Sequence, residues 1–182
     1  MLSFAMPSDL KTERLALRAP APADADRLFA HYTSAPEIVR YLPWQRHCAV
    51  EETGTLIEQC ASASAAGNGH LLVIVKREQP DRPIGLLHLS GADYSVSLGF
   101  GLARQHWGQG YGSEVASAAA TWVLCQPGVW RVWAYCDIAN SASARVLEQA
   151  GLSYEGTLRR YAVHPNLSPE PRDCRIYARV RA

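Results

Sequence analysis

The stretch HWGQGYGSE, His106 to Glu114, places glycines at positions 108, 110 and 112, directly before an alanine-rich run that reads as a helix. Glycine at a helical position costs about 1 kcal/mol relative to alanine, so loose backbone at the mouth of a helix needs a reason. A helix N-terminus exposes unpaired N–H groups and carries the positive end of the dipole, and anions bind there readily. A side chain on the loop would hold a bulky phosphate away from those amides; glycine removes it and permits positive φ. The segment therefore reads as a backbone cradle for phosphate. A tight strand-to-helix turn without a ligand accounts for the same glycines. A P-loop requires Gly-Lys-Ser/Thr, and Gly112-Ser113 lacks the lysine. A dinucleotide loop requires G-x-G-x-x-G, and the spacing here is G-x-G-x-G.

The chain around this loop has 182 residues, enough for one domain, 1–182, with its core expected over about 12–181. Apolar residues make up 48% and charged residues 19%, as in an ordinary globular protein. A net charge of +1 gives no broad basic field, so neither nucleic acid nor membrane is expected as a partner. The five cysteines form no C-x-x-C pair and are odd in number, which suits free thiols in a reducing compartment. The start, MLSFAMPSDL, lacks the basic and long apolar stretches of an export signal, and no run approaches the ~18 apolar residues of a membrane span. These features lead us to expect a cytoplasmic protein.

Periodicity supplies the rest of the frame. RLALR (Arg14 to Arg18) alternates as a strand does, and Pro22 suits a first helical turn, with Pro36 ending that segment. A second helix is expected from about Val50 to Ala65. HLLVIVK (His70 to Lys76), IGLLHLS (Ile84 to Ser90) and VSLGFGLAR (Val96 to Arg104) read as three strands, with EQPDRP and GADYS as turns between them. In the third strand Val96, Leu98, Phe100 and Leu102 share one face, and only Ser97, Gly99, Gly101 and Ala103 occupy the other. Such a stripped face admits either a ligand against the backbone or a closely packed helix. A helix from about Gly112 to Leu124, the central strand WRVWAYC (Trp130 to Cys136) and a short helix from Asn140 to Ala150 follow. Two final strands, SYEGTLRRYAV and CRIYARV, are joined by HPNLSPEPRD as a loop. The order β-α-α-β-β-β-α-β-α-β-β describes one mixed α/β domain.

QHWGQG (Gln105 to Gly110) matches Q/R-x-x-G-x-G/A, and NSASARVLEQAGLSYEG (Asn140 to Gly156) matches N-x-x-S-x-x-x-x-E-x-x-G-F at Asn140, Ser143, Glu148 and Gly151, with Leu152 for Phe. In these two motifs the chain resembles the GNAT superfamily of N-acetyltransferases. TERLALR and YLPW further resemble its ribosomal-protein N-terminal branch, the RimJ/RimL type. The resemblance implies an α/β (α+β) fold: a mixed, mostly antiparallel twisted sheet of about seven strands, helices on both faces, and a splay between strands 4 and 5. It also implies acetyl-CoA as cosubstrate and no metal. The pantetheine arm would run along the backbone of Phe100, Gly101 and Leu102. The pyrophosphate would lie on the loop of Gln105, Gly108, Gln109, Gly110, Tyr111, Gly112 and Ser113. Asn140 and Ser143 would stand near the thioester, and Arg145 near the nucleotide end. Asn140 is equally an N-cap, Ser143 a helix-end hydrogen-bonding residue, and Arg145 a solvated surface arginine.

The chemistry so implied is attack of a neutral amine on the acetyl thioester, with one proton leaving the amine and one reaching the thiolate. Many relatives carry a tyrosine acid where this chain has Leu147, which points to Ser143 as the substitute. Many also carry a glutamate base where this chain has Ser97. A site without that carboxylate suits an α-amine, pKa about 7.7–8, better than a lysine side chain at about 10.4. A more distant group could still relay the proton: Tyr135, Glu155, Asp137 or His88, the last sitting on an apolar strand where a packed histidine is the plainer reading. The catalytic candidates are Ser143, Glu155 and Tyr135. The expected partner is an amine acceptor, possibly a protein N-terminus, and the protein is a monomer or homodimer. A CoA-binding sensor that never turns over is the alternative.

Overall fold

The computed structural model describes residues 10–65, 67 and 69–181. The reading of residues 1–9 as free of an export signal lies outside them. Eight strands form one sheet in the order β1-β2-β3-β4-β5-β6-β8-β7. They are β1 (Leu10–Lys11), β2 (Leu15–Arg18), β3 (His70–Lys76), β4 (Gln79–Ala92), β5 (Ser95–Leu102), β6 (Arg131–Asp137), β7 (Ser153–His164) and β8 (Ser168–Val180). The helices are α1 (Ala25–Leu28), α2 (Pro36–Val39), α3 (Val50–Ala65), α4 (Tyr111–Leu124) and α5 (Ser141–Gln149). Among the described residues no helix is long and apolar enough to cross a membrane.

The burial pattern explains the layers. In β3, Leu72 and Ile74 join a core with Val115, Ala119 and Leu147 of α4 and α5, while Leu71, Val73 and Val75 join a second core with Leu28, Tyr32 and Ile57. A strand apolar on both faces must be covered on both, and helices do so here. The splay is real. β5 and β6 are parallel and pair only at Ser95↔Arg131, Val96↔Val132 and Ser97↔Trp133. Beyond those pairs β5 stays on β4 as far as Leu102, and β6 stays on β8 as far as Asp137.

Several expectations need correction. The sheet has eight strands rather than about seven, because Leu10 and Lys11 pair with Leu17 and Ala16 as an extra short edge. EQPDRP is largely strand, since β4 begins at Gln79 and meets β3 through bulges near Val75. HPNLSPEPRD is mostly strand as well, with only the turn between His164 and Ser168 outside it. Pro169 and Pro171 are tolerated because β6 ends at Asp137, opposite Cys174, so β8 has a single neighbour at the prolines. Pro36 does not simply stop a helix; it opens α2 from the first turn, where its missing N–H is harmless.

The small face of β5 is closely packed at one glycine and open at another. A Cβ at Gly101 would come within 2.4 Å of the Tyr32 hydroxyl, so a helical turn does lie close over it. At Gly99 nothing lies within 4 Å of the same position. On β4, a Cβ at Gly85 would sit 2.2 Å from the carbonyl oxygen of Gly101, a backbone atom with no freedom to yield. Gly85→Ala is therefore expected to lower stability by about 1–3 kcal/mol, and Gly99→Ala to change it by no more than about 0.5 kcal/mol, as read from urea midpoints.

Candidate active site

The helix expected from Gly112 starts one residue earlier, at Tyr111, with Gly110 as its N-cap at φ +78°. Gly108 also has positive φ, +72°, and a Cβ there would meet nothing within 4 Å. No side chain caps α4. Its first backbone bond runs from the Glu114 N–H to the Gly110 carbonyl, 3.0 Å, so the amides of Tyr111, Gly112 and Ser113 have no acceptor inside the helix. Gly112 has a separate reason to be glycine: its Cβ position lies 3.4 Å from both methyls of Val146 and 3.7 Å from the Phe100 ring. The opening turn of α4 is thus set against β5 on one side and α5 on the other.

The loop is braced from a distance. The Arg14 Nη1 donates to the Gln109 carbonyl at 3.0 Å, its Nε donates to Glu114 Oε2 at 2.7 Å, and its guanidinium lies 4.5 Å from the Tyr111 ring centroid. The Thr12 hydroxyl donates to the same carboxylate. Burial alone would raise the Glu114 pKa, yet the Thr12 and Arg14 hydrogen bonds hold it below the usual range. Within the loop, Gln109 Nε2 donates to the Gln105 carbonyl at 2.8 Å, and Trp107 Nε1 to the Leu102 carbonyl at 2.7 Å. None of the Arg14 contacts was read from the sequence.

The second motif is arranged around α5. Asn140 is its N-cap, and its side-chain oxygen accepts from the Ser143 N–H at 3.1 Å. The Ser113 hydroxyl donates to Gln149 Oε1 at 2.6 Å and ties α4 to α5. Arg145 is exposed and turns elsewhere: with Ser141, Glu148, Tyr154, Arg175 and Tyr177 it lines a groove of about 470 Å³ between α5, β7 and β8.

The face of the sheet opposite α4 and α5 carries the remaining candidates. Val132, Ala134 and Cys136 belong to the α4–α5 core, so Trp133 and Tyr135 point the other way. Gly99 is paired with His88 on one flank of the opening, and Tyr135 stands on the other. Burial raises the Tyr135 pKa, with Cys174 and Tyr161 adding to it, so the phenol keeps its proton at neutral pH. His88 is not the packed histidine expected: the residue is exposed on β4, and desolvation by the surrounding protein, then His70, lowers its pKa.

Glu155 does not join this group. Both its oxygens accept from Arg131, one at 2.9 Å, at the closed end of the splay, and that hydrogen bonding lowers its pKa. Asp137 is fully buried and engaged too. It accepts from Arg172 Nε at 2.5 Å and from the Ala139 N–H at 2.8 Å, with His164 Nε2 3.7 Å away. Burial works to raise its pKa, but Arg172, Ala139 and His164 outweigh it and the pKa falls. A carboxyl with a depressed folded pKa adds stability above its unfolded value, about 3.9, and that stability is lost as pH drops through the folded value. Asp137→Asn is accordingly expected to lower the urea midpoint at pH 7 and to flatten its decline below about pH 4, measured as midpoint against pH.

A glycine-opened helix beside a splayed parallel pair, within an otherwise antiparallel sheet, is the arrangement that the resemblance to the GNAT acetyltransferases implies. Residues 14–153 match the family model described as "Acetyltransferase (GNAT) domain", and the chain belongs to that family. It is 28% identical over 174 residues to the uncharacterised N-acetyltransferase YoaA of Bacillus subtilis, covering 94% of this chain and 96% of that one. Its fold is similar to a GNAT-family acetyltransferase of Bacillus anthracis, at TM-score 0.80 and 22% identity over 93% of this chain and 96% of the other. RimL, a ribosomal L7/L12 α-N-protein acetyltransferase solved with coenzyme A, is similar at TM-score 0.80 and 21% identity, over 93% and 95% of the two chains.

Proposed function

We propose that the protein transfers the acetyl group of acetyl-CoA to a primary amine by direct attack in a ternary complex, the acceptor being an α-amine of a protein N-terminus or of a small molecule. One observation carries this reading: the acceptor-free amides of Tyr111, Gly112 and Ser113 open α4 against Phe100 of β5, where β5 and β6 have parted. Positive φ at Gly108 and Gly110 and the open space at Gly108 leave room for a diphosphate among these amides. Gln105 and Gln109 hold the loop in shape, and Arg14 fixes it to β2.

The bound coenzyme supplies an acetyl thioester, an acyl group ready for an amine. The protein supplies the positions. Backbone groups of Phe100, Gly101 and Leu102 line the pantetheine path. Asn140 orients the start of α5, so that the Ser143 hydroxyl can hand a proton to the departing sulfur. The Tyr135 phenol, protonated at neutral pH, stands on the far side of the opening as a second donor. Arg145, exposed on α5, is assigned to the nucleotide phosphate. Glu155 is held by Arg131 and is removed from the set of bases. With Asp137 also engaged, an α-amine, partly neutral near pH 7.5, is the acceptor that needs least help. The α-amine specificity named for RimL is of the same kind.

Titration calorimetry with CoA tests the cradle. Wild-type protein is expected to bind and Gly110→Trp to bind at least about tenfold more weakly, about 1.4 kcal/mol; equal affinities would refute the assignment. Ser143→Ala is expected to reduce kcat about 10²-fold while leaving the CoA Kd within about twofold. An unchanged kcat would take Ser143 out of the mechanism.

A further inference from the structure

The approach to the gap from the face opposite α4 and α5 is aromatic, and the charged side chains at the two ends of β6 are paired, Arg131 with Glu155 and Asp137 with Arg172. The coenzyme would occupy the α4–α5 side, so an acceptor amine must arrive from this other face. Two cross-sheet rows border the fork there. One contains Ser90, Ser97, Trp133 and Ala178; the other contains His88, Gly99, Tyr135 and Ile176. His88 is the imidazole in these rows, and desolvation, then His70, lowers its pKa.

Three rings gather at the β6 side of the opening. Trp133 and Tyr135 lie 6.4 Å apart between centroids, and Tyr161 of β7 meets Tyr135 edge-on at 5.1 Å. Tyr161 is 40% exposed, so the wall is offered to solvent rather than closed into a core. The charged residues of β6 are both taken: Arg131 by Glu155 and Asp137 by Arg172. A second ammonium on the acceptor would find no free carboxylate on this strand.

The far end of the approach is arched over. Asn166, in the turn between β7 and β8, donates to the carbonyls of Val39 at 2.9 Å and Trp44 at 2.8 Å, and accepts from the Arg46 N–H at 2.8 Å. This ties the turn to the chain that follows α2. His164, at the same turn, packs against Asp137 at the end of β6 and meets the Tyr41 ring edge-on at 6.2 Å.

We infer that the acceptor is a small aryl-bearing α-amine with no charge besides the reacting nitrogen, its ring seated on Trp133, Tyr135 and Tyr161 and its amine directed over Gly99. This rests on the acetyl-transfer reading and narrows its substrate. An aromatic contact favours a matching ring and gives a polycation nothing in return for desolvation.

Thiol release from acetyl-CoA is measured with phenylalaninamide, tryptophanamide, spermidine, kanamycin and a serine-initiated tetrapeptide, each rate corrected for the neutral-amine fraction. The aryl amines are expected to exceed spermidine and kanamycin by about tenfold or more in kcat/KM, and to exceed the peptide. Trp133→Ala and Tyr161→Ala are expected to raise the KM for phenylalaninamide about tenfold without moving the calorimetric Kd for CoA, and Trp133→Phe to recover most of the loss. Preference for a polycation or for the peptide overturns the inference. So does failure to turn over any aryl amine in a protein that still binds CoA. A protein that does not bind CoA at all overturns the acetyl-transfer reading beneath it instead.

Discussion

β5 and β6 are joined by three residue pairs, and the proposed seat of the coenzyme depends on the fourth not forming. Each strand is anchored on its outer side, β5 along β4 and β6 along β8, so neither can swing inward to complete the ladder. The facing edges beyond Ser97 and Trp133 have no strand partner across the gap. Unpaired backbone groups inside a sheet are costly unless water or a ligand satisfies them. An extended ligand with amides of its own meets that need, and it would lead straight to the opening turn of α4. The gap and the glycine loop are two ends of one feature: β5 delivers the chain from the fork into the loop within a few residues.

The brace on that loop resolves an electrostatic conflict. Glu114 in the first turn of α4 is favourable to the helix dipole but unfavourable to an anion bound at the same end. Arg14 lies between these effects. Its guanidinium neutralises Glu114, bonds the Gln109 carbonyl and stacks over Tyr111, so a carboxylate can remain at the helix start without repelling phosphate. The arrangement also fixes a loop whose glycines would otherwise leave it mobile. Positive φ at Gly108 and Gly110 supplies the shape, and the tie to β2 keeps it.

What could be read from the sequence and what could not divide along a physical line. The glycine loop, the Asn140 cap, Gly151 beyond the end of α5 and the alternation of β5 are local, and each shows as a spacing of a few residues. The splay came only with the family resemblance, since no periodicity marks where two strands part. Arg14 and Glu114 are 100 residues apart, and Asn166 lies at least 120 from Val39, Trp44 and Arg46. Contacts of that range leave no pattern in composition or period. His88 was misjudged because an alternating apolar strand says which face a side chain takes, not whether that face is covered. Glu155 was misjudged for the complementary reason: a carboxylate near a motif looks available until its arginine is seen. Pro169 and Pro171 read as loop because the early end of β6, which makes them harmless, is a property of another strand.

The engaged carboxylates bear on the reaction as a whole. Asp137 is fully buried with Arg172, and Glu155 is bonded to Arg131, so both serve the sheet rather than the proton. Freeing either would leave an arginine without its partner, and for Asp137 would leave a buried charge uncompensated. Ser97 stands where a strand carboxylate would otherwise face the fork. The protein thus offers its acceptor a wall of rings, a half-open histidine and a protonated phenol, but no strong base. Such a site works when the amine arrives already neutral, and removing water around that amine disfavours its protonated form further. Uncharged surroundings are then not a deficiency. They select the form of the nucleophile that can attack, and an acceptor that brings a ring in place of a second charge gains contact without disturbing that selection.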